Sequence, residues 1–151
     1  MVESELRRLL EDVKNNRVNI EEALNTLKDW PYEDLGFAVL DHHRALRKGF
    51  PEVVFCQGKT AEQVAKIFKS LCGGHRTILG TRASEETFAA VKEIYPDASY
   101  HELARVITVC RGEPPVKKGN ILVMSAGTSD MPVAEEAAVT AEIMGNYVQR
   151  A

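Results

Sequence analysis

The run Gly119-Asn120-Ile121-Leu122-Val123-Met124-Ser125-Ala126-Gly127-Thr128-Ser129-Asp130-Met131-Pro132-Val133-Ala134-Glu135-Glu136-Ala137 narrows the available folds more than any other part of the chain. Ile121 to Met124 is apolar without alternation, the pattern of a parallel strand covered on both faces. Small residues follow, and Pro132 stands where the first turn of a helix tolerates a missing N–H. Strand, small-residue turn and helix in this order build an anion site at the carboxyl end of a strand.

The turn carries its own chemistry. Ser125, Ser129 and the backbone N–H groups around Gly127 can donate to phosphate oxygens, and the positive end of the following helix adds attraction. Asp130 would repel phosphate, so its functional role is to accept from ribose hydroxyls or to handle a proton. Capping of the helix by Ser129 or Asp130 explains the same residues equally well.

Upstream, helical spacing of Leu6, Leu9, Leu10 and Val13, then of Ile20, Ala23, Leu24 and Leu27, predicts a helical hairpin with Asn19 as the second N-cap. A polar, basic stretch from Leu40 to Glu52 leads into the strand Val53–Cys56. Helices over 60–71 and 84–95, strands over 77–80 and 104–110, and a capping box of Thr60 with Gln63 make a small β-α-β-α-β unit. The Pro- and Gly-rich segment 111–119 reads as a linker. A helix is predicted over 132–149. The expectation is therefore an α/β protein with residues 1–110 as an N-terminal helical and small α/β domain. Residues 120–151 would be the first β-α unit of a doubly wound domain, incomplete because one strand and one helix cannot bury such a strand.

Composition excludes several classes. Among 151 residues the net charge is -3, which offers no global attraction to nucleic acid or anionic lipid. The start lacks a signal-peptide pattern and no apolar run is long enough to span a bilayer, so a cytoplasmic location is expected. Cys56, Cys72 and Cys110 are odd in number and widely spaced, hence neither a disulfide framework nor a zinc site, and no metal ligand set is expected. Gly58-Lys59-Thr60 imitates the end of a phosphate-binding loop, but the full motif needs glycine at the position of Val53, and a nucleoside triphosphatase is rejected. Lys59, preceding a helix, can still approach a phosphate or carboxylate, or be a surface lysine.

The run from Ser125 to Ala137 resembles the opening of the phosphoribosylaminoimidazole carboxylase (PurE) fold. Its form is that of the LarB-type pyridinium-3,5-biscarboxylic acid mononucleotide synthases, which act in nickel pincer cofactor biosynthesis. Leu35-Gly36-Phe37, Asp41-His42-His43-Arg44, Arg47 to Val54 and Gly58-Lys59-Thr60 are a second matching set in the right order. The resemblance implies an enzyme that carboxylates the pyridinium ring of nicotinic acid adenine dinucleotide and cleaves its phosphoanhydride, releasing AMP. Carbon dioxide or bicarbonate would be co-substrate, and magnesium would suit the phosphoanhydride step. It also implies a nucleophilic cysteine in the later part of the carboxylase-like domain, matched by none of Cys56, Cys72 and Cys110. Asp130 and Lys59 become candidate catalytic residues, with Ser125, Gly127, Ser129, Arg44, Arg47 and Glu52 as substrate-binding residues. His42 and His43 are read as a solvated face. The expected partners are a dinucleotide and further copies of the chain in a homo-oligomer, with no nucleic acid or membrane. The rival readings are a nucleotide-binding or assembly fragment, to which an exposed strand Ile121–Met124 would contribute, and a phosphoribosylaminoimidazole carboxylase-like mutase.

Overall fold

The computed structural model describes residues 3–27, 32–42, 53–72, 77–111 and 116–151. Helices α1 (Glu3–Lys14) and α2 (Ile20–Leu27) form the expected hairpin. The Asn19 side chain accepts from the Glu22 N–H at 2.8 Å while Glu22 accepts from the Asn19 N–H at 3.2 Å, a reciprocal cap. Leu10, Ile20 and Leu24 remain exposed on this hairpin. Strands β1 (Tyr32–Asp34) and β2 (Val39–Asp41), for which the sequence reading assigned no regular structure, pair antiparallel around Gly36 and bury Leu40.

Alternation and capping explain the next unit. Strand β3 (Val53–Phe55), helix α3 (Ala61–Leu71), strand β4 (Thr77–Thr81), helix α4 (Glu85–Ile94) and strands β5 (Ser99–His101) and β6 (Val106–Cys110) follow in order. The four strands lie in the order β3-β4-β6-β5, with β3 and β4 parallel and the β4–β6 and β6–β5 pairs antiparallel. Thr60 and Gln63 form the predicted capping box, and the Ser84 hydroxyl accepts from the Thr87 N–H at 3.1 Å. One face of the sheet, with Val54, Ile78, Ile107 and Val109, packs against Val64, Phe68, Leu71 and Val91 of the two helices. The unit thus matches the predicted one with a further antiparallel strand, β5, too short to show in the sequence.

The opposite face receives the last unit, made of β7 (Gly119–Val123), α5 (Met131–Ile143) and β8 (Asn146–Arg150). The helix predicted to run to Gln149 stops at Ile143. Gly145, at φ 84°, ends it in a left-handed conformation that glycine adopts without steric cost. The residues after it pair in parallel with β7 in register from Gly119 with Asn146 to Val123 with Arg150. The unit is β-α-β where β-α was expected. Helix α5 is apolar around most of its circumference because it is enclosed on two sides. Val139 and Ile143 pack on Val53, Leu79, Ala104 and Val106 of the larger sheet, and α5 also lies against β7 and β8. Arg82, at the end of β4, fixes this docking through a 2.7 Å ion pair with Glu136.

Candidate functional site

The carboxyl ends of parallel β7 and β8 and the start of α5 enclose a cleft of about 440 Å³, lined by Ser125, Gly127, Thr128, Met131, Glu135 and Arg150 among others. Leu103, from the turn between β5 and β6, contributes a wall from the larger sheet. The cleft is open where a ligand's polar groups would enter, since every residue from Met124 to Asp130 is exposed.

Its backbone is arranged for donation. Ser125 spends its N–H on the Ala151 carbonyl at 3.0 Å, extending the β7–β8 ladder, so its contribution to a ligand is the hydroxyl. Gly127 turns the chain at φ 108°, where a side chain would be strained. Among the described residues the N–H groups of Gly127, Thr128 and Ser129 meet no backbone acceptor. Asp130 occupies the N-cap position in a right-handed helical conformation and makes no side-chain cap hydrogen bond. Capping, the alternative reading of Asp130, therefore finds no hydrogen bond here. Of this turn, Ser125, Gly127 and Thr128 line the cleft beside the amino end of a 13-residue helix, whereas Ser129 and Asp130 are exposed next to it and are not part of its lining.

The other sequence-predicted residues stand elsewhere. Lys59 lies in the turn after β3, its ammonium donating to the Phe55 carbonyl at 2.7 Å, and it does not line the cleft. Arg44, Arg47 and Glu52 fall outside the described residues, as does His43. His42 is paired with Glu33 at 2.8 Å, and Ser70 of α3 also donates to Glu33. These bonds, that from Ser70 foremost, hold the Glu33 carboxyl below its usual range. Glu33 thus fastens the β1–β2 hairpin to α3, and His42, its side chain 13% exposed, is part of that hairpin's pairing and not the solvated face expected of it.

Neither Cys56 nor Cys72 is an activated thiol. Burial pushes Cys56 up to about 11 and raises Cys72, while Cys110 is exposed. A raised thiol pKa leaves little thiolate at neutral pH. Among the described residues no three carboxylate, histidine or thiol groups converge, and Glu135, the carboxylate of the cleft, is bound by Arg150. These residues do not fit a magnesium cage. No helix among the described residues is long and apolar enough to cross a membrane.

Sequence reasoning missed Arg150, Glu135 and Leu103 as parts of the cleft. Arg150 was assigned to the residues just past a helix that ends six positions earlier than its predicted end at Gln149. Gly145 followed by Asn-Tyr-Val was the signal for a strand that would bring Arg150 to the end of β7.

Two similarities extend this geometry. Residues 32–111 match the family model described as the LarB/PurE-like N-terminal domain. A protein of Methanocaldococcus jannaschii, itself described as uncharacterized, is 34% identical over 148 residues, covering 93% of this chain and 57% of its own length. The chain thus spans little more than half of that relative.

Proposed function

The chain belongs to the LarB/PurE-like family, and from that premise we propose that it forms part of an enzyme that carboxylates the pyridinium ring of nicotinic acid adenine dinucleotide. Phosphoanhydride cleavage would accompany carboxylation, giving pyridinium-3,5-biscarboxylic acid mononucleotide and AMP for nickel pincer cofactor biosynthesis. The family suggests carboxylase or mutase chemistry; the dinucleotide substrate is the finer part of the proposal. The observation that supports it is the cleft itself, where Gly127 and Thr128 offer N–H groups at the amino end of α5 beside the carboxyl ends of two parallel strands.

In this reading Ser125, Gly127 and Ser129 hold a phosphate of the dinucleotide. Asp130, its carboxylate not spent on capping, accepts from a ribose hydroxyl or carries a proton during the reaction. Lys59, Arg44 and Arg47 are proposed to meet the remaining anionic groups from the N-terminal unit, with Glu52 as a further substrate-binding residue that accepts from a hydroxyl. A thiolate adding to the electron-poor ring would make the meta carbon nucleophilic toward carbon dioxide. Cys56 and Cys72, raised by burial, are not assigned that role.

The test incubates a protein comprising this chain and its carboxylase-like domain with the dinucleotide and labelled bicarbonate. The expected result is AMP in step with a labelled dicarboxylated mononucleotide, with Asp130→Ala slowing turnover roughly a hundredfold. AMP release without label, or turnover indifferent to Asp130→Ala, overturns the assignment. The assembly reading is favoured by exposed Ile121, Leu122 and Met124. It predicts binding of the dinucleotide with no product.

A further inference from the structure

Among the described residues the cleft contains one cation, and that cation is already paired. Arg150 Nε and Nη2 donate to Glu135 at 2.9 to 3.2 Å, and Nη1 and Nη2 donate to Glu142 at 2.7 and 3.1 Å. Every nitrogen of the guanidinium is thus engaged, and two carboxylates face one positive charge. The two carboxylates differ in what else surrounds them. Glu142 sits outside the cleft lining, where Arg150 foremost, then Lys117 and His101, hold its carboxyl below the usual range. Glu135 lines the cleft beside Arg150 and is stabilised by no second cation among the described residues.

The Glu135 contact has the side-on, two-point geometry with which a guanidinium also grips the oxygens of a ligand phosphate or carboxylate. The side chain of Arg150 is 40% exposed and that of Glu135 27%, so both can be reached from solvent. Gly127 and Thr128 line the same cleft as this fork.

We propose that Arg150 is a specificity-determining residue of the cleft, its fork held by Glu135 until a ligand oxyanion displaces that carboxylate while Glu142 keeps the guanidinium in place. This rests on the reading of the cleft as an oxyanion site. Glu135 then sets the affinity: it competes for Arg150, lowers the hold on phosphorylated product and rejects anions too small to reach both the Gly127 and Thr128 amides and the fork.

The test measures binding of inorganic pyrophosphate, with nicotinate as a carboxylate arm, by calorimetry on the 151-residue chain. Glu135→Gln is expected to tighten pyrophosphate roughly tenfold, the size of one released charge-assisted contact. Adding Arg150→Met should abolish the gain, and adding Arg150→Lys should keep only part of it because the fork is lost. A parallel gain for nicotinate would assign the fork to a carboxylate as well; none would reserve it for phosphate. A bracing role for the cluster predicts that Glu135→Gln leaves affinity unchanged or weaker, and either result overturns the proposal. Gly127→Val separates the two readings. If pyrophosphate binding disappears in Gly127→Val but is indifferent to Glu135→Gln, the Arg150 inference alone fails. If binding ignores Gly127→Val, or no variant binds, the oxyanion reading of the cleft fails as well. Thermal melting of each variant identifies any that has not folded, and the Lys variant then replaces Met.

Discussion

The strand-helix units at 53–110 and 119–150 start from similar apolar strands and end in different surroundings. In the first, Ile78, Leu79, Val106, Ile107 and Val109 are each 1% exposed or less; in the second, Ile121 is 37% and Leu122 54% exposed. An apolar run gives the tendency to be covered, while burial depends on what packs against each face. Helix starts differ in the same direction. Thr60 and Ser84 satisfy the first amides of α3 and α4 with their own side chains, whereas the Asp130 side chain caps nothing and the Val133 N–H donates to the Asp130 backbone carbonyl at 3.1 Å. Where the fold completes its own hydrogen bonds it is scaffold; where it leaves donors in a cleft it has room for a ligand.

The contrast breaks most severely at the core of the first unit. Phe68→Ala, emptying the fully buried space between α3 and the sheet, should cost about 3–5 kcal/mol by denaturant titration. A change of similar depth in β7, such as Leu122→Ala at an exposed position, should cost far less, and equal losses would erase the distinction.

Alkaline pH should weaken the first unit next. Cys56 rises from 9.0 to about 11 on burial, and Tyr95 from 10.0 to about 12, chiefly for the same reason. The folded state therefore keeps a proton that the unfolded chain has lost. The stability held below pH 9 falls as pH passes from 9 to 11, on the order of 2 kcal/mol for the thiol. Cys56→Ala should flatten that part of a pH–stability curve, and an unchanged slope would remove Cys56 as its source.

Val139→Ala, at the seam where α5 meets the sheet, should cost about 1–2 kcal/mol, with both units melting together. Separate transitions would show that the seam carries little coupling. The finest test compares caps. Ser84→Ala should lose about 1 kcal/mol, while Asp130→Ala should stay within about 0.5 kcal/mol of the parent because it removes no cap bond.

Much of this was legible in the residues. The Asn19 cap, the Thr60–Gln63 box, the Ser84 cap and the strands at Val53, Thr77 and Val106 follow from local chemistry acting over a few positions. Strand β5 was not, because three residues carry too little pattern to separate from a turn. Strand β8 was hidden by an apolar, alanine-rich helix whose stop, Gly145, is a backbone requirement of one residue. The cleft was half legible: Ser125, Gly127, Ser129 and Asp130 share one turn, whereas Arg150 and Leu103 reach it only through strand pairing and helix docking at long range.

Order of arrival also separates the two halves. At about 5–20 residues per second, the ribosome releases Val53, Leu79 and Val106 seconds before it releases Val139 and Ile143. In that interval the larger sheet can close on α3 and α4 while its second face waits, apolar and uncovered, for the one helix that fits it. Strand β8, which carries Arg150, is the last element to emerge, so the cleft cannot be complete until the whole of the larger sheet has left the ribosome. Its shape depends on a surface made earlier, and the sheet that receives α5 is a precondition of the cleft as well as its wall.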